Sequence, residues 1–113
     1  MNTKAVANFD DVRAEHGISQ HYEDAVLAAF AGNWLTKIMV DWQGFEDAYV
    51  GIFDGNTEIE ALGEYAREIN EDEVPGWLLH YVNWTDLGRD MKYGGEYWAA
   101  PIGNALYVVF SNL

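Results

Sequence analysis

Half of the chain's 113 residues are apolar, five are Trp and none is Cys. This composition excludes disorder throughout and removes disulfides, thiol nucleophiles and thiolate metal sites, while the length suits a domain of average size with a true core. Nineteen acids against six bases give a net charge of −13 and an isoelectric point near 4.2, which sets the chain against nucleic acid and anionic membranes and toward basic surfaces.

In chain order, Phe9 to His16 reads as a short helix closed by Gly17. Ser19 is expected to cap a second helix, whose apolar positions Tyr22, Ala25, Val26, Ala29 and Phe30 follow a 3.6-residue period up to Gly32. Trp34 to Val40 alternates as a strand, Asp41 to Gly44 reads as a turn, and Ala48 to Phe53 reads as a second, aromatic and β-branched strand. Asp54-Gly55-Asn56 is a turn, and Thr57 with Glu60 forms a capping box opening a third helix. Its expected inner stripe is Ile59, Leu62, Ala66 and Ile69, with Tyr65 beside it. Pro75 suits the first turn of a fourth helix carrying Trp77, Leu78 and Tyr81. Asn83 or Thr85 starts a fifth that ends near Gly94, and Tyr97–Ala100 and Ala105–Phe110 close the chain as two strands around a turn. This order predicts an α+β fold, a small antiparallel sheet covered by several short helices, with a strongly acidic surface. Trp34, Phe45, Tyr49, Phe53, Trp77 and Tyr81 are expected to pack in the core.

The charge is concentrated. Residues 41–73 hold eleven acids and a single base, Arg67, a net of −10 out of −13. Glu60, Glu64 and Glu68 recur every four residues, about 6 Å apart along a helix, and Glu71, Asp72 and Glu73 extend the run where acids oppose the helix dipole. An ordinary exposed helix interleaves Glu with Lys, each such pair contributing about 0.3–0.5 kcal/mol. This segment forgoes them.

Familiar chemistry is missing. His16 and His21 do not have a zinc spacing, and a calcium loop starting at Asp54 fails because Ile59 stands where Gly is needed and Tyr65 where Glu is needed. The two serines, Ser19 and Ser111, lie in no nucleophile elbow, and there is no glycine-rich phosphate loop. No cofactor, metal or catalytic residue is therefore expected. No apolar run approaches the roughly 20 residues of a membrane span, and Met1 to Asp10 has one Lys and no hydrophobic stretch, so a cytoplasmic location is expected.

The segment Phe45-Glu46-Asp47-Ala48-Tyr49-Val50-Gly51-Ile52-Phe53-Asp54 resembles the ArdA-type antirestriction proteins, which carry a Phe-x-Asp-Ala-Tyr-x-Gly segment followed by an acidic helix. Val74-Pro75, Tyr81-Val82-Asn83 and Gly88-Arg89-Asp90 match the family's later part, and the hairpin from Tyr97-Trp98 to Val109-Phe110 fits its end. Glu15-His16-Gly17 to Gly32-Asn33-Trp34 resembles its middle portion. Asn83 stands where the family commonly has Asp, and the chain is expected to be a shortened member without the N-terminal domain. The resemblance implies a helical, middle-domain-like segment over 1–40 and a C-terminal α+β domain over 41–113, in two parts or one compact unit. Family members are elongated dimers that imitate bent B-form DNA and occupy the DNA groove of type I restriction–modification enzymes.

The expectation is thus a DNA-mimic inhibitor with no enzymatic activity. Its acidic binding surface is expected at Glu46, Asp47, Asp54, Glu58, Glu60, Glu64, Glu68, Glu71, Asp72 and Glu73. Its partner is a DNA-binding host defence enzyme, with no direct contact to nucleic acid or membrane. A homodimer is expected through Trp98, Leu106, Val108 and Phe110, apolar strand residues in a stretch of little net charge. The alternatives are an anti-CRISPR or other inhibitor of a nucleic-acid-binding complex, an acidic adaptor for a basic protein, and a small hydrolase using paired carboxylates.

Overall fold

A computed structural model describes residues 9–32 and 41–112. The chain divides into two compact units, residues 1–48 and 49–113. The division falls eight residues beyond the expected boundary at 40/41, so Phe45, Glu46 and Asp47 belong with the helical first unit. The strand expected at Trp34–Val40, with Trp34 as a core residue, lies outside the described residues.

In the first unit, α1 (Asp10–His16) ends at Gly17, whose φ of 68° is the left-handed cap that glycine takes without strain. The second helix, α2 (Asp24–Ala31), starts later than expected, with Glu23 at its N-cap in extended backbone. Ser19 does not cap it: its Oγ accepts from His21 N at 3.0 Å, a local turn that competes with helix initiation. The turn at Trp42–Gly44 is one round of 3₁₀ helix, followed directly by a four-residue helix α3 (Phe45–Ala48) that the alternation of the following strand concealed. Phe9, Val12, Ile18, Val26, Leu27, Trp42 and Phe45 are buried. Aromatic edges hold this core together, Tyr22 and Phe30 each meeting the Phe45 ring in a T-shape at 4.9 and 5.2 Å. Arg13 is buried with them at 6% exposure. It donates to Asp24 Oδ1 at 2.6 Å, to Asp10 Oδ1 at 3.3 Å and to the Tyr22 carbonyl, so one cation ties α1 to the start of α2.

The second unit is α+β. Strands β1 (Tyr49–Asp54), β2 (Tyr97–Gly103) and β3 (Leu106–Ser111) form an antiparallel sheet in the order β1-β3-β2. Pro101 falls inside β2 rather than in the turn. An edge strand tolerates it, since the missing N–H leaves no ladder bond unmade on the outer side. Register puts Gly51 and Ala99 opposite Val109, and Tyr49 and Trp98 opposite Phe110. On the first of these faces lies the long helix α4 (Glu58–Asn70), whose Ala61 and Leu62 pack with Ala99 and Val109. Tyr65 sits between Phe53 and Tyr97, with ring centroids 5.6 and 5.2 Å away.

Of the expected stripe on α4, Leu62 and Ala66 are buried, Ile59 is half-buried and Ile69 is half exposed, and the buried face is completed by Ala61 and Gly63. The reason is a second packing partner. Helix α5 (Trp84–Tyr93), capped by Asn83 Oδ1 accepting from Asp86 N at 3.1 Å, crosses α4 at two glycines. A Cβ on Gly88 would stand 2.3 Å from the Ile59 carbonyl oxygen and 2.4 Å from Gly63 N, and one on Gly63 would stand 2.8 Å from the Trp84 carbonyl oxygen. Periodicity arguments weigh large apolar residues and overlook a face made of small ones.

The expected fourth helix is instead a 3₁₀ turn, Gly76–Tyr81, with Pro75 at its N-cap. Seated only by half-buried Leu78 and Leu79, this short turn leaves Trp77 and Tyr81 each 71% exposed, against the expectation that both pack in the core. Phe45 is fully buried, and Tyr49 and Phe53 are half-buried as β1 residues.

Gly88→Ala is expected to lower stability by about 3 kcal/mol, because both clashing atoms are backbone and the helices must separate. Gly76→Ala, which meets open space, is expected to stay within about 0.5 kcal/mol of the parent. Urea unfolding midpoints of the two variants check this.

Candidate functional site

Helix α4 begins with Thr57, whose Oγ1 accepts from Glu60 N at 3.1 Å. The return bond of the expected capping box is displaced by one residue: Glu60 Oε1 accepts from Asn56 N at 2.8 Å, not from Thr57 N. From this fixed start Glu60, Glu64 and Glu68 project at exposed positions along one flank, four residues and about 6 Å apart. The helix ends at Asn70 and passes into a 3₁₀ turn, Glu71–Glu73, on which Asp72 and Glu73 are exposed. Asp54 is exposed at the end of β1.

Two open grooves border this flank. One, of about 550 Å³, is lined by Asp54, Asn56, Glu60, Glu64, Trp84 and Thr85, together with Gly55, Gly63 and Ala105. The other, of about 300 Å³, is lined by Phe53, Glu64, Arg67, Glu68 and Glu71. The carboxylates therefore edge shallow, solvent-open surface on both sides of α4.

The acidic residues do not form one class. Glu64, Glu68, Asp72, Glu73 and Asp54 have no ion-pair partner among the described residues. Glu71 is paired, accepting from Arg67 Nε at 2.9 Å, which offsets part of the unfavourable charge at the helix C-terminus. Glu58 departs from the expected role. Its Oε1 lies 3.0 Å from Lys92 Nζ and its Oε2 accepts from Ala99 N at 2.9 Å. Glu58 thus joins α4, α5 and the outer edge of β2, and its carboxylate pushes the Lys92 ammonium up from its ordinary value. It is a structural brace rather than free surface. Its spacing along the helix gave no sign of this, because both partners are more than 30 residues away. Glu46 and Asp47, exposed on α3, belong to the first unit.

Burial and the hydrogen bond to Tyr97 push the Tyr65 phenol up to about 12, so it stays neutral between the strands that flank it. Among the described residues no three His, Asp or Glu converge to hold a metal ion, and no helix is long and apolar enough to cross a membrane.

The residues expected to associate are split. Val108 and Phe110 are fully buried within the single chain, whereas Trp98 is half-buried and Leu106 is 38% exposed. Val108 and Phe110 lie within the central strand β3, whereas Leu106 is its first residue, beside the turn, and Trp98 lies on the edge strand β2. A dimer surface on this strand cannot use the Val108 and Phe110 side chains.

Compared with models of known protein families, with curated proteins and with solved structures, the chain matches none.

Glu58→Ala is expected to cost about 1–3 kcal/mol, because it leaves the Ala99 N–H without its acceptor. Glu64→Ala is expected to change stability by less than about 0.5 kcal/mol. Thermal unfolding of the two variants in parallel separates brace from surface.

Proposed function

We propose that the chain is a DNA-mimic inhibitor that occupies the DNA-binding groove of a type I restriction–modification enzyme. The observation that carries this reading is the row of exposed carboxylates on α4, continued by Asp72, with no Lys or Arg paired to Glu64, Glu68 or Asp72 among the described residues. B-DNA presents one phosphate per about 3.4 Å of axis on each strand. One carboxylate per 6 Å reproduces roughly half that linear density on a helix braced from behind by the sheet and by α5. A groove built for phosphates accepts such a row by charge complementarity, which acts first on the rate of encounter and on partner choice.

The missing ion pairs support this over a solubilising role. A surface that serves solubility ordinarily intersperses both signs, and mixed charges would have stabilised the helix. A row with Arg67 as its one base forgoes most of that gain, as a surface selected for one sign of partner does. A homodimer, implied by the likeness to antirestriction proteins, would double the carboxylates offered to a long groove.

Exposed charge pairs contribute about 0–1 kcal/mol each, so single changes such as Glu64→Gln should scarcely alter inhibition of a type I restriction–modification enzyme. Changing Glu60, Glu64, Glu68 and Asp72 together to their amides should weaken inhibition at least about 10-fold, mainly through slower association. Folding should be kept or slightly gained as repulsion is relieved. Amides keep the Glu60 acceptor for Asn56 N, so the helix start survives. Inhibition and thermal stability measured side by side check this, and full inhibition by the quadruple variant contradicts it.

A further inference from the structure

We infer that Trp77 and Tyr81 are the anchors of the partner interface: rings held out of the fold that stack into an apolar cleft within a basic, nucleic-acid-binding groove. The inference rests on the proposed function and names the contacts that hold the complex together once charge has brought it into register.

Trp77 and Tyr81 are 71% exposed, an unusual state for two of the largest apolar side chains. Their turn is firmly made. Leu78 N donates to the Pro75 carbonyl at 2.8 Å and Val82 N to the Leu79 carbonyl at 3.3 Å, and Pro75 fixes the entering backbone. Leu78, Leu79 and Val82 are the half-buried residues that seat it. In a 3₁₀ turn residues three apart share an edge, which puts Trp77 and exposed His80 on one side. The Tyr81 ring lies 4.3 Å from the His80 ring and inclined by 36°. The rings are thus presented at little ordering cost, the condition under which aromatic anchors hold best.

The surrounding charge selects the occupant. Glu71, Asp72 and Glu73 precede the turn, Asp86 follows it, and no Lys or Arg lies between Glu71 and Asp86. A second copy seated here would bring acidic runs together, which is repulsive. A partner with a basic rim is attracted. Proteins that handle unstacked or flipped bases combine such a rim with aromatic or apolar clefts. An indole and a phenol in a segment flanked in sequence by carboxylates offer that site the two elements a nucleotide offers, a π-face and an anion.

The test measures association and dissociation rates with a purified type I restriction–modification methyltransferase for four proteins. These are the parent, Trp77→Ala/Tyr81→Ala, Trp77→Phe/Tyr81→Phe, and the quadruple amide variant. The alanine pair should dissociate at least about 10-fold faster with an association rate within about two-fold of the parent. The phenylalanine pair should keep most of the parent's residence time, and both pairs should melt with the parent, since the rings are exposed. The quadruple amide variant should associate more slowly instead. An alanine pair with unchanged dissociation, beside slow association of the amide variant, overturns the anchors and leaves the proposed function standing. A shift of the alanine pair's monomer–dimer equilibrium by sedimentation without a change in dissociation rate makes the rings a self-contact and overturns the inference. A parent that does not bind the methyltransferase overturns both.

Discussion

The contact between Gly63 and Gly88 sets the geometry of the second unit. Two helices can cross with backbone against backbone only where neither carries a side chain, and a Cβ at Gly88 would lie 2.3 Å from the Ile59 carbonyl oxygen. Gly63 in mid-helix costs about 1 kcal/mol against Ala. The close crossing offsets that cost by letting α5 seat along α4. With α5 on one side and the sheet on another, α4 turns its remaining flank to solvent, and that flank carries Glu60, Glu64 and Glu68 with Arg67 among them. Packing therefore determines which residues face outward as firmly as it determines the core.

Glu58 shows how the same segment divides its acids between structure and surface. It starts α4, yet its carboxylate accepts from the β2 backbone and meets Lys92 of α5. It covers an outward N–H on an edge strand, one of the ways in which sheets avoid pairing with other chains. Glu60 has half a structural role through Asn56 N. From Glu64 onward the carboxylates outside the Arg67–Glu71 pair have no ion-pair partner up to the end of the acidic run among the described residues. Rigid support next to unpaired charge is what a preorganised electrostatic surface requires, because groups already held in place lose little on binding.

Much of this was legible in the residues themselves. The Gly17 and Gly32 stops, the Asn83 cap, the turn at Asp54–Asn56 and the closing hairpin come from local chemistry, where the signal lies within four or five positions. What escaped was non-local. The identity of the α4 buried stripe depends on α5, twenty-five residues from Gly63 at Gly88. The role of Glu58 depends on Lys92 and Ala99. Trp77 and Tyr81 read as core because large aromatics usually are, and only the shortness of the turn between Pro75 and Val82 reveals that there is no core there for them to enter. Ser19 failed as a cap because its hydroxyl was already satisfied two residues on, at His21.

Under the proposed function, this chain and duplex DNA compete for one groove. The most direct measurement is a competition assay in which a type I restriction–modification methyltransferase is pre-bound to a labelled duplex containing its recognition site and titrated with the chain, at low and at raised salt. Mutually exclusive binding is expected, with DNA released in proportion to the chain added and the chain's own affinity falling as salt rises. A stable ternary complex of enzyme, duplex and chain would contradict the account, because a surface that binds beside DNA is not standing in for it.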